Sequence, residues 1–463
     1  MHGSSDGTKS TFKVFGNIFI SFIGAGVLGL PYAFKEAGIL EGILIMSLVG
    51  YLSVCAMMLL IDCKDFMQSH KLSRTLQSRE AWSDDISQTT SLIANGSPGS
   101  SADLEEAKFN SNEQKSKDKN NRDIGYGDVG YYAYGQSGSA LVDVAIIVSQ
   151  TGFCCAYLIF IIENMAQYIS SSNQMGGLNV QKLILASLLL PLCFLCFLRH
   201  LHKLAVFSLF ADFANIFAYS IVFWFDFEEK HTVSVHPKEM DLTGFPFFAG
   251  MAVYCYEGAG MILSLESSMA VEVRSKFRPI FKGAMLLITT LYIVFGICGY
   301  LSFGSDTNQI ITLNLPKGVF PLLVKMCLCF SLFFTYPVMM FPVIQIIEKR
   351  CGSTFSSFMA GNLLRAGMVV VTGLIVLIIP SFSTLMSLVG ATFCSLLAFI
   401  MPALFHMKIF KSDMTKSKRF LDYTLIFVGM GATIIGTIDS LKRLGIIPEA
   451  QEVVSNITSS ISV

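Results

Sequence analysis

The stretch Phe22-Ile-Gly-Ala-Gly-Val-Leu-Gly-Leu-Pro31 lies at the centre of the first long apolar segment of the chain. In a helix interior, glycine costs about 1 kcal/mol relative to alanine and proline about 3 kcal/mol, so this composition interrupts an otherwise favourable helix. Non-helical backbone at membrane depth is tolerated where it is packed in protein or lines a wet cavity. The stretch therefore predicts a broken transmembrane helix, which serves either a substrate site or close helix packing through Ala25 and Gly29.

The overall composition is that of a membrane protein. The 463 residues are 53% hydrophobic and 14% charged, which is more apolar surface than one or two soluble cores would bury. The apolar composition implies the lipid bilayer as a partner, and the formal net charge of zero implies no nucleic-acid partner. Most of the 12 cysteines lie within apolar runs and lack metal-ligand spacing. We expect no metal site and no cofactor.

Apolar runs of about 20 residues predict an all-α polytopic protein with eleven transmembrane helices. With a cytosolic N-terminus (1–11), the cytoplasmic segments contain 25 of the 33 Lys and Arg residues and the opposite segments contain 7, as the positive-inside rule requires. The tail 441–463 is then luminal or extracellular. The predicted spans are 12–34 and 38–61 (spans one and two), 138–165, 181–199 and 203–225 (spans three to five, within 138–225), 244–268, 281–303, 318–347, 359–380 and 384–408 (spans six to ten, within 244–408), and 420–440.

One large hydrophilic segment separates the second and third spans. Residues 62–137 contain 21 of the 66 charged residues and are rich in Ser, Asn and Gln. Such a composition cannot bury enough apolar surface to fold alone, so we predict a mostly disordered cytosolic loop. Of the two glycosylation sequons, Asn95 falls in this loop, whereas Asn456 falls in the luminal tail and is the predicted modification site.

A second interruption occurs in the sixth span. The run Glu257-Gly-Ala-Gly260 lies close to the midpoint of 244–268. With five spans in each half, spans one and six occupy corresponding positions, and an odd number of spans inserts the halves in opposite orientations. This pattern predicts the 5+5 inverted repeat of the leucine-transporter fold, with the eleventh helix outside the repeats.

Several motifs carry a family resemblance. The run Gly24-Ala-Gly-Val-Leu-Gly-Leu-Pro-Tyr-Ala-Phe34 resembles the first-span signature of the amino acid/auxin permease (AAAP) family, within the amino acid–polyamine–organocation superfamily. The chain is most similar to the plant vacuolar AVT-type transporters, which are relatives of the proton-coupled lysosomal amino acid transporters. The likeness continues through Ser149-Gln-Thr-Gly-Phe-Cys-Cys-Ala-Tyr-Leu-Ile-Phe160, Phe207-Ser-Leu-Phe-Ala-Asp212, Tyr254-Cys-Tyr-Glu-Gly-Ala-Gly260, Gly299-Tyr-Leu-Ser-Phe-Gly304 and Leu332-Phe-Phe-Thr-Tyr-Pro337.

The resemblance implies a secondary active transporter. Its expected activity is proton-driven export of neutral or aromatic amino acids from an acidic organelle lumen to the cytosol. The implied location is the vacuolar or lysosomal membrane, with the plasma membrane as the alternative. We expect no enzymatic activity, because the chain has no nucleophile elbow, no Walker A run and no paired histidine ligands beyond His200 and His202.

An amino acid zwitterion needs an anion site and a cation site a few ångströms apart, and opposed half-helix ends supply both. The N–H groups of Gly24, Ala25, Gly26 and Val27 are candidates for the substrate carboxylate. Unwound carbonyls at the second interruption are candidates for the ammonium group. The residues concerned there are Tyr254, Cys255, Tyr256 and Gly258, and the substrate side chain is expected to face Gln150 and Thr151 on span three and Ser331 and Thr335 on span eight.

Two acidic residues lie deep within predicted spans. Glu257 and Asp212 are close to the membrane midplane, where a carboxylate should have a function or a partner. We expect Glu257 to carry the coupling proton, with Asp212 as the second candidate or a structural residue. Four further acidic residues lie near span ends, where water or snorkelling satisfies them: Asp143, Glu163, Glu266 and Asp439.

Two alternatives remain open at this point. A sodium ion could bind between carbonyls of span one and the hydroxyl groups of Ser331 or Thr335, which would make the chain a sodium-coupled transporter. The chain could instead be an amino acid sensor that signals through residues 62–137 without significant flux. Replacing sodium with choline tests the first alternative, and binding without flux would support the second.

Overall fold

The computed structural model describes residues 10–93, 124–172, 177–198, 217, 219–224, 238–352, 358–411 and 414–447. Every regular element in these residues is a helix. Short 3-10 helices cover Ala25–Gly29, Val271–Lys276, Gly304–Asp306 and Ile311–Asn314, and π-helical turns cover Gly390–Cys394 and Leu396–Ile400. The α-helices are α1 (Thr11–Phe22), α2 (Leu30–Ala37), α3 (Ile39–Ile93), α4 (Tyr126–Ser172), α5 (Gly177–Cys196), α6 (Phe245–Cys255), α7 (Ala259–Ser267), α8 (Phe277–Phe303), α9 (Val319–Cys351), α10 (Phe358–Ile378), α11 (Phe382–Val389), α12 (Met401–Ile409) and α13 (Lys416–Arg443).

The helices confirm a multi-pass membrane protein. Among the described residues, eight helices are long and apolar enough to cross a membrane, and the bent pair of α1 with Ala25–Ala37 makes nine. Val180–Cys196 is apolar but shorter. A helix lies at every predicted span position except 203–225, of which the structure describes only 217 and 219–224, all helical.

The described ends of the hydrophilic segment are helical. Helix α3 continues from Ile39 to Ile93, and α4 begins at Tyr126 and is kinked at Tyr134 and Gly135, so helix extends into both ends of 62–137. Residues 94–123, which include Asn95, lie outside the described residues. The sequence becomes polar before α3 ends, because the first polar side chains pair with other helices. Asp62 pairs with Arg278 at 2.7 Å and with Lys418 at 3.1 Å.

Ion pairs distinguish the two ends of the helix bundle. At one end, called the Lys64 end, the Asp62 pairs lie beside Lys64, which binds Glu266, and the Asp143–Arg350 pair (2.5 Å) belongs to the same end. At the opposite end, called the Arg443 end, Arg443 pairs with Glu36 at 3.0 Å. Each of these ion pairs joins segments that the charge count assigns to one side of the membrane.

Three of the four acidic residues near span ends form ion pairs. Asp143 pairs with Arg350, Glu266 with Lys64 and Arg274, and Asp439 with Arg443. Lys64 and Glu266 are almost completely buried, so direct ion pairing, rather than water or snorkelling, satisfies them.

Buried aromatic side chains fill the bundle towards the Arg443 end. The rings of Phe34, Phe247, Phe248 and Phe382 are completely buried, and Phe34 meets Phe248 edge to face with 5.0 Å between ring centroids. Because α2 and α6 pack against each other through these rings, the outer halves of the first and sixth spans form one compact unit.

Candidate functional site

The first span is interrupted where its sequence predicts. Helix α1 ends at Phe22, Gly24 is extended (φ −110°, ψ −173°), and the 3-10 helix Ala25–Gly29 precedes α2. The two halves of the span meet at an angle of 47°. The interruption supplies backbone groups that an unbroken helix would have used in its own hydrogen bonds.

Hydrogen bonds reduce the number of available donors at this break from four to two. The Gly24 N–H donates to the Phe22 carbonyl (3.0 Å), and the Val27 N–H donates to the Gly24 carbonyl (3.3 Å). Within the part of the chain that the structure describes, the Ala25 and Gly26 N–H groups have no acceptor. Of the predicted anion donors, only these two adjacent groups remain for a ligand.

The sixth span is interrupted in the same region of the bundle. Helix α6 ends at Cys255 and α7 begins at Ala259, with Tyr256, Glu257 and Gly258 between them. The φ of Gly258 is −159°, outside the left-handed region that favours glycine, so packing explains the glycine here.

Some carbonyls at this second break are already used. The Tyr254 carbonyl accepts the Glu257 N–H at 3.4 Å, and the Gly258 carbonyl accepts the Ile262 N–H at 3.0 Å. The Tyr256 and Glu257 carbonyls accept no hydrogen bond from the described residues. The acceptors available to a ligand are therefore fewer than predicted and lie at the middle of the break.

The two breaks pack directly against each other through glycine. A Cβ atom at Gly26 would lie 2.9 Å from Cys255 Sγ, and a Cβ atom at Gly258 would overlap the Phe22 ring. Gly24 and Gly260 differ, because a Cβ atom at either position would meet nothing within 4 Å. Two glycines of the breaks therefore allow close packing, while the other two leave open space.

A cavity of about 360 Å³ lies where the breaks meet. Seven of the predicted site residues line it: Gly24, Ala25, Gly26, Gln150, Tyr254, Cys255 and Glu257. The remaining walls are mainly apolar and aromatic, and come from α1, α4, α7, α8 and α9. Those lining residues are Ser21, Phe22, Ile146, Phe153, Tyr157, Gly260, Met261, Tyr292, Val338, Met339, Pro342 and Ile346.

Three buried polar atoms of cavity-lining residues have no hydrogen-bond partner among the described residues. They are Gln150 Oε1, the Tyr254 hydroxyl and Glu257 Oε2. The other carboxylate oxygen of Glu257 accepts the Gly260 N–H at 3.5 Å, at the start of α7. Because buried polar groups normally have partners, three unpaired atoms in one cavity indicate a site for a polar ligand.

Three predicted hydroxyl groups lie away from the cavity lining. The Thr151 hydroxyl donates to the Ile147 carbonyl (2.6 Å), and the Thr335 hydroxyl donates to the Ser331 carbonyl (2.8 Å). Ser331 is completely buried. Hydroxyl groups within apolar helices often bond to the carbonyl one turn earlier, which spacing along the sequence does not reveal.

Three residues of the predicted breaks also face elsewhere. Val27 lines a separate apolar cavity, the Tyr256 hydroxyl donates to Thr289 Oγ1 at 2.9 Å, and Gly258 packs on Phe22. Their backbone neighbours line the site, but their own side chains or Cβ positions do not.

Two further predicted residues cannot be placed. Asp212 and Asn456 lie outside the described residues.

Two tyrosines were missed by the sequence analysis. The Tyr292 hydroxyl on α8 donates to the Phe22 carbonyl at 2.5 Å, and the Tyr219 hydroxyl donates to the Gly24 carbonyl at 3.0 Å. The sequence offered one signal for them: a tyrosine within an apolar span needs a hydrogen-bond partner for its hydroxyl group. The sequence did not indicate which partner each one would take.

The cavity extends from the breaks towards the Lys64 end. Ser21, Ile146, Met261 and Ile346 lie on that side of the breaks, and Gly260 is exposed. Towards the Arg443 end, the Phe153 ring meets the Tyr254 ring edge to face, with 4.7 Å between centroids, in front of the buried aromatic rings of α2 and α6. In its described part the cavity lining therefore continues towards the Lys64 end and is bounded by aromatic rings towards the Arg443 end.

Comparison with known proteins places the chain in a family. The family model described as "Transmembrane amino acid transporter protein" matches residues 7–78 and 110–442. The chain is 35% identical over 448 residues to Amino acid transporter AVT3B of Arabidopsis thaliana, covering 94% of each chain. It is 31% identical over 462 residues to Amino acid transporter ANT1 of the same organism, covering 93% of this chain and 92% of that protein.

Among solved structures, a Na⁺-coupled sialic acid symporter in a substrate-bound outward-open state matches with 8% identity and a TM-score of 0.40, over 93% of this chain and 97% of that chain. The sequence matches confirm the resemblance to the AVT-type transporters, and the matched proteins are transporters rather than enzymes. On the family model and the relatives together, this chain belongs to the transmembrane amino acid transporter family.

Proposed function

We propose that this protein is a proton-coupled transporter that moves neutral or aromatic amino acids from the lumen of a vacuole or lysosome to the cytosol by alternating access. The observation that carries the proposal is the cavity between the two breaks, with its unpaired atoms on Gln150, Tyr254 and Glu257. Mid-membrane polar groups without partners are expected where a polar substrate binds.

The backbone groups of the two breaks suit an amino acid zwitterion. The available N–H groups of Ala25 and Gly26 would bind the carboxylate at the start of a helical segment, where the helix dipole favours negative charge. The carbonyls of Tyr256 and Glu257 would accept hydrogen bonds from the ammonium group. The apolar and aromatic walls then favour a neutral or aromatic substrate side chain.

Glu257 is the proposed proton carrier. It is the only ionisable acidic residue among the described residues that line the cavity. One of its oxygens is bound at the start of α7, and the other is unpaired and buried. A proton on that second oxygen would remove an uncompensated charge from the cavity, so loading of proton and substrate can influence each other. Asp212 stays the second candidate.

The donor groups around the cavity favour protons over sodium. The residues of α9 that line it are Val338, Met339, Pro342 and Ile346, and none of them has a side-chain oxygen. The hydroxyl groups proposed for a sodium site are those of Ser331 and Thr335, which do not line the cavity. Sodium prefers oxygen ligands, so this face of α9 is unsuited to it.

The proposed topology has eleven crossings, arranged as a 5+5 inverted repeat plus one helix. Nine candidate spans and Val180–Cys196 account for ten. Since Gln167 near the end of α4 donates to the Leu313 carbonyl at the Arg443 end, α5 leads back to the Lys64 end. The segment that begins at residue 238 lies at the Arg443 end, where the Lys238 carbonyl accepts the Ile39 N–H. One further crossing through 203–225 is consistent with both positions.

Glycosylation mapping tests this topology. Expressed in cells with a glycosylating secretory pathway, the protein should lose its glycan when Asn456 is changed to Gln and keep it when Asn95 is changed to Gln. A glycan on Asn95 would place 62–137 on the luminal side and overturn the proposal.

Amino acid flux in proteoliposomes tests the function itself. With an acidic exterior and a neutral interior, labelled leucine or phenylalanine should accumulate inside, and replacing sodium with choline should not change the rate. Accumulation that requires sodium and ignores the pH gradient would support the sodium-coupled alternative. Substrate binding without flux would support a sensor. The proposed location rests on the resemblance to AVT-type transporters, and imaging of the tagged protein at the plasma membrane would overturn it.

A further inference from the structure

The C-terminal ends of two half-helices meet at one tyrosine hydroxyl. Helix α1 approaches from the Lys64 end and ends at Phe22, while α6 approaches from the Arg443 end and ends at Cys255. The Tyr292 hydroxyl lies 2.5 Å from the Phe22 carbonyl and 3.4 Å from the Cys255 carbonyl. The last carbonyls of a helix lack partners within the helix and carry partial negative charge. Tyr292 therefore occupies a point that attracts positive charge.

A third carbonyl joins this group from the same break. The Gly24 carbonyl accepts the Tyr219 hydroxyl at 3.0 Å. Two phenol hydroxyls thus lie within hydrogen-bonding distance of three backbone carbonyls from the two breaks. Unwound carbonyls and half-helix C-terminal ends are also the ligands that bind coupling cations in transporters with broken helices.

We propose that the hydroxyl groups of Tyr292 and Tyr219 take the place of a coupling sodium ion at the junction of the two breaks. The inference rests on the proposed function and gives it a structural reason for proton rather than sodium coupling. The Tyr292 hydrogen binds the Phe22 carbonyl and the Tyr219 hydrogen binds the Gly24 carbonyl, so no cation has to bind there before the breaks take up their arrangement.

The burial and hydrogen bonding of Tyr292 support a positioning role. Its side chain is 1% exposed, and its ring separates the cavity between the breaks from the apolar cavity beside Val27. A hydroxyl group has one hydrogen, so it donates to one carbonyl at a time, and the shorter distance assigns that hydrogen to Phe22 here. Removing the oxygen would leave the Cys255 carbonyl without a nearby donor among the described residues and the Phe22 carbonyl with the Gly24 N–H alone. It would also open a space of about one water molecule.

Tyr292→Phe tests the proposal, with Tyr256→Phe as the matched control. Tyr256 lies beside Tyr292, with 5.5 Å between ring centroids, but its hydroxyl group donates to Thr289 and not to the breaks. Sodium chloride, compared with choline chloride, should raise the melting temperature of purified Tyr292→Phe and leave the wild type and Tyr256→Phe unchanged. The lost hydrogen bond should also lower amino acid exchange at equal pH by about tenfold in choline, and sodium should restore part of it.

Equal sodium responses in all three proteins would overturn the proposal, as would a loss of exchange in Tyr292→Phe that sodium does not restore. If Tyr292→Phe does not fold, Tyr219→Phe provides the same measurement with only the Gly24 carbonyl released. The melting-temperature measurement needs no flux, so a wild type that fails to transport would refute the proposed function while this inference is still judged on its own result.

Discussion

The two broken helices look equivalent in sequence, but their halves on the Lys64 side are attached to the bundle in different ways. The end of α7 is bound by charge: the buried Lys64 of α3 binds Glu266, the Ser267 hydroxyl (2.6 Å) and the Leu263 carbonyl (3.2 Å). Arg274 adds a second partner for Glu266 at 3.2 Å.

Helix α1 has no comparable anchor. Among the described residues it makes no ion pair, and it packs mainly against α8 through apolar side chains. Its hydrogen-bonded attachment lies at its last residue, Phe22, through Tyr292. On the proposed alternating-access mechanism, we expect α1 rather than α7 to move, because breaking apolar contacts leaves no buried charge unpaired.

The largest effect is expected from removing the anchor of α7. Lys64→Met leaves part of the Glu266 charge unpaired in a buried site and should lower the stability by about 3–5 kcal/mol, at the lower end because Arg274 remains. Lys418→Met removes a pair whose lysine is 51% exposed and should lose about 1 kcal/mol or less.

Thermal unfolding of the purified proteins in detergent measures both variants. Combining Lys64→Met with Glu266→Gln should recover much of the loss, because the pair is then removed together. Equal stability of Lys64→Met and Lys418→Met would refute the view that α7 is anchored by charge.

Glycine substitutions compare the packing of the breaks. Gly258→Ala would force its Cβ against the Phe22 ring, which should cost about 1–3 kcal/mol and reduce transport. Gly260→Ala lies two residues away in open space at the start of α7 and should be neutral or stabilising by up to about 1 kcal/mol.

The same contrast applies to the first break. Gly26→Val would place a branched side chain against Cys255 Sγ and stop transport, whereas Gly24→Ala should fold normally. Normal flux and melting temperature in Gly26→Val and Gly258→Ala would show that close packing of the breaks is unnecessary.

The next effect concerns Glu257, which caps α7 through one oxygen and faces the cavity with the other. A pH difference of one unit supplies about 1.4 kcal/mol, enough for about tenfold accumulation by the wild type with one coupled proton. Glu257→Gln should abolish that accumulation and keep part of the substrate counterflow, since exchange needs no net proton movement.

Glu163→Gln is the control, because Glu163 does not line the cavity. It should accumulate substrate as the wild type does. Gradient-driven uptake at the wild-type level in Glu257→Gln would exclude this residue as the carrier and direct attention to Asp212.

The smallest effect is expected at the Arg443 end. Arg443 of α13 pairs with Glu36 of α2, and its guanidinium group lies 4.2 Å from the ring centroid of Phe247 in α6. It therefore links α13 to both α2 and α6. The charged side chains are partly exposed, and Arg443→Gln should therefore lower the stability by about 1 kcal/mol or less. Lys442→Gln is the adjacent control, and a loss as large as that of Lys64→Met would show that the two ends are anchored alike.

The sequence located both breaks and the spans that the structure describes, because long apolar runs need a bilayer and clustered glycine disfavours helix. It misjudged groups whose state depends on a distant partner. Asp62 marked the start of a predicted loop and is instead ion-paired within the bundle. Two of the four predicted N–H donors at the first break bind neighbouring carbonyls, and Ser331 and Thr335 do not line the cavity.

By itself, the sequence determined a multi-pass helical transporter of this family with interruptions at Gly24 and Gly258, since composition and motif order are local properties that need no coordinates. Only the tertiary structure decided which atoms of those interruptions are available. Tyr292 lies 270 positions from Phe22 in the chain, yet its hydroxyl group binds that carbonyl. Lys64 likewise meets Glu266 across 202 positions. Hydrogen bonding and burial depend on which helices pack together, and packing combines residues that no local pattern relates.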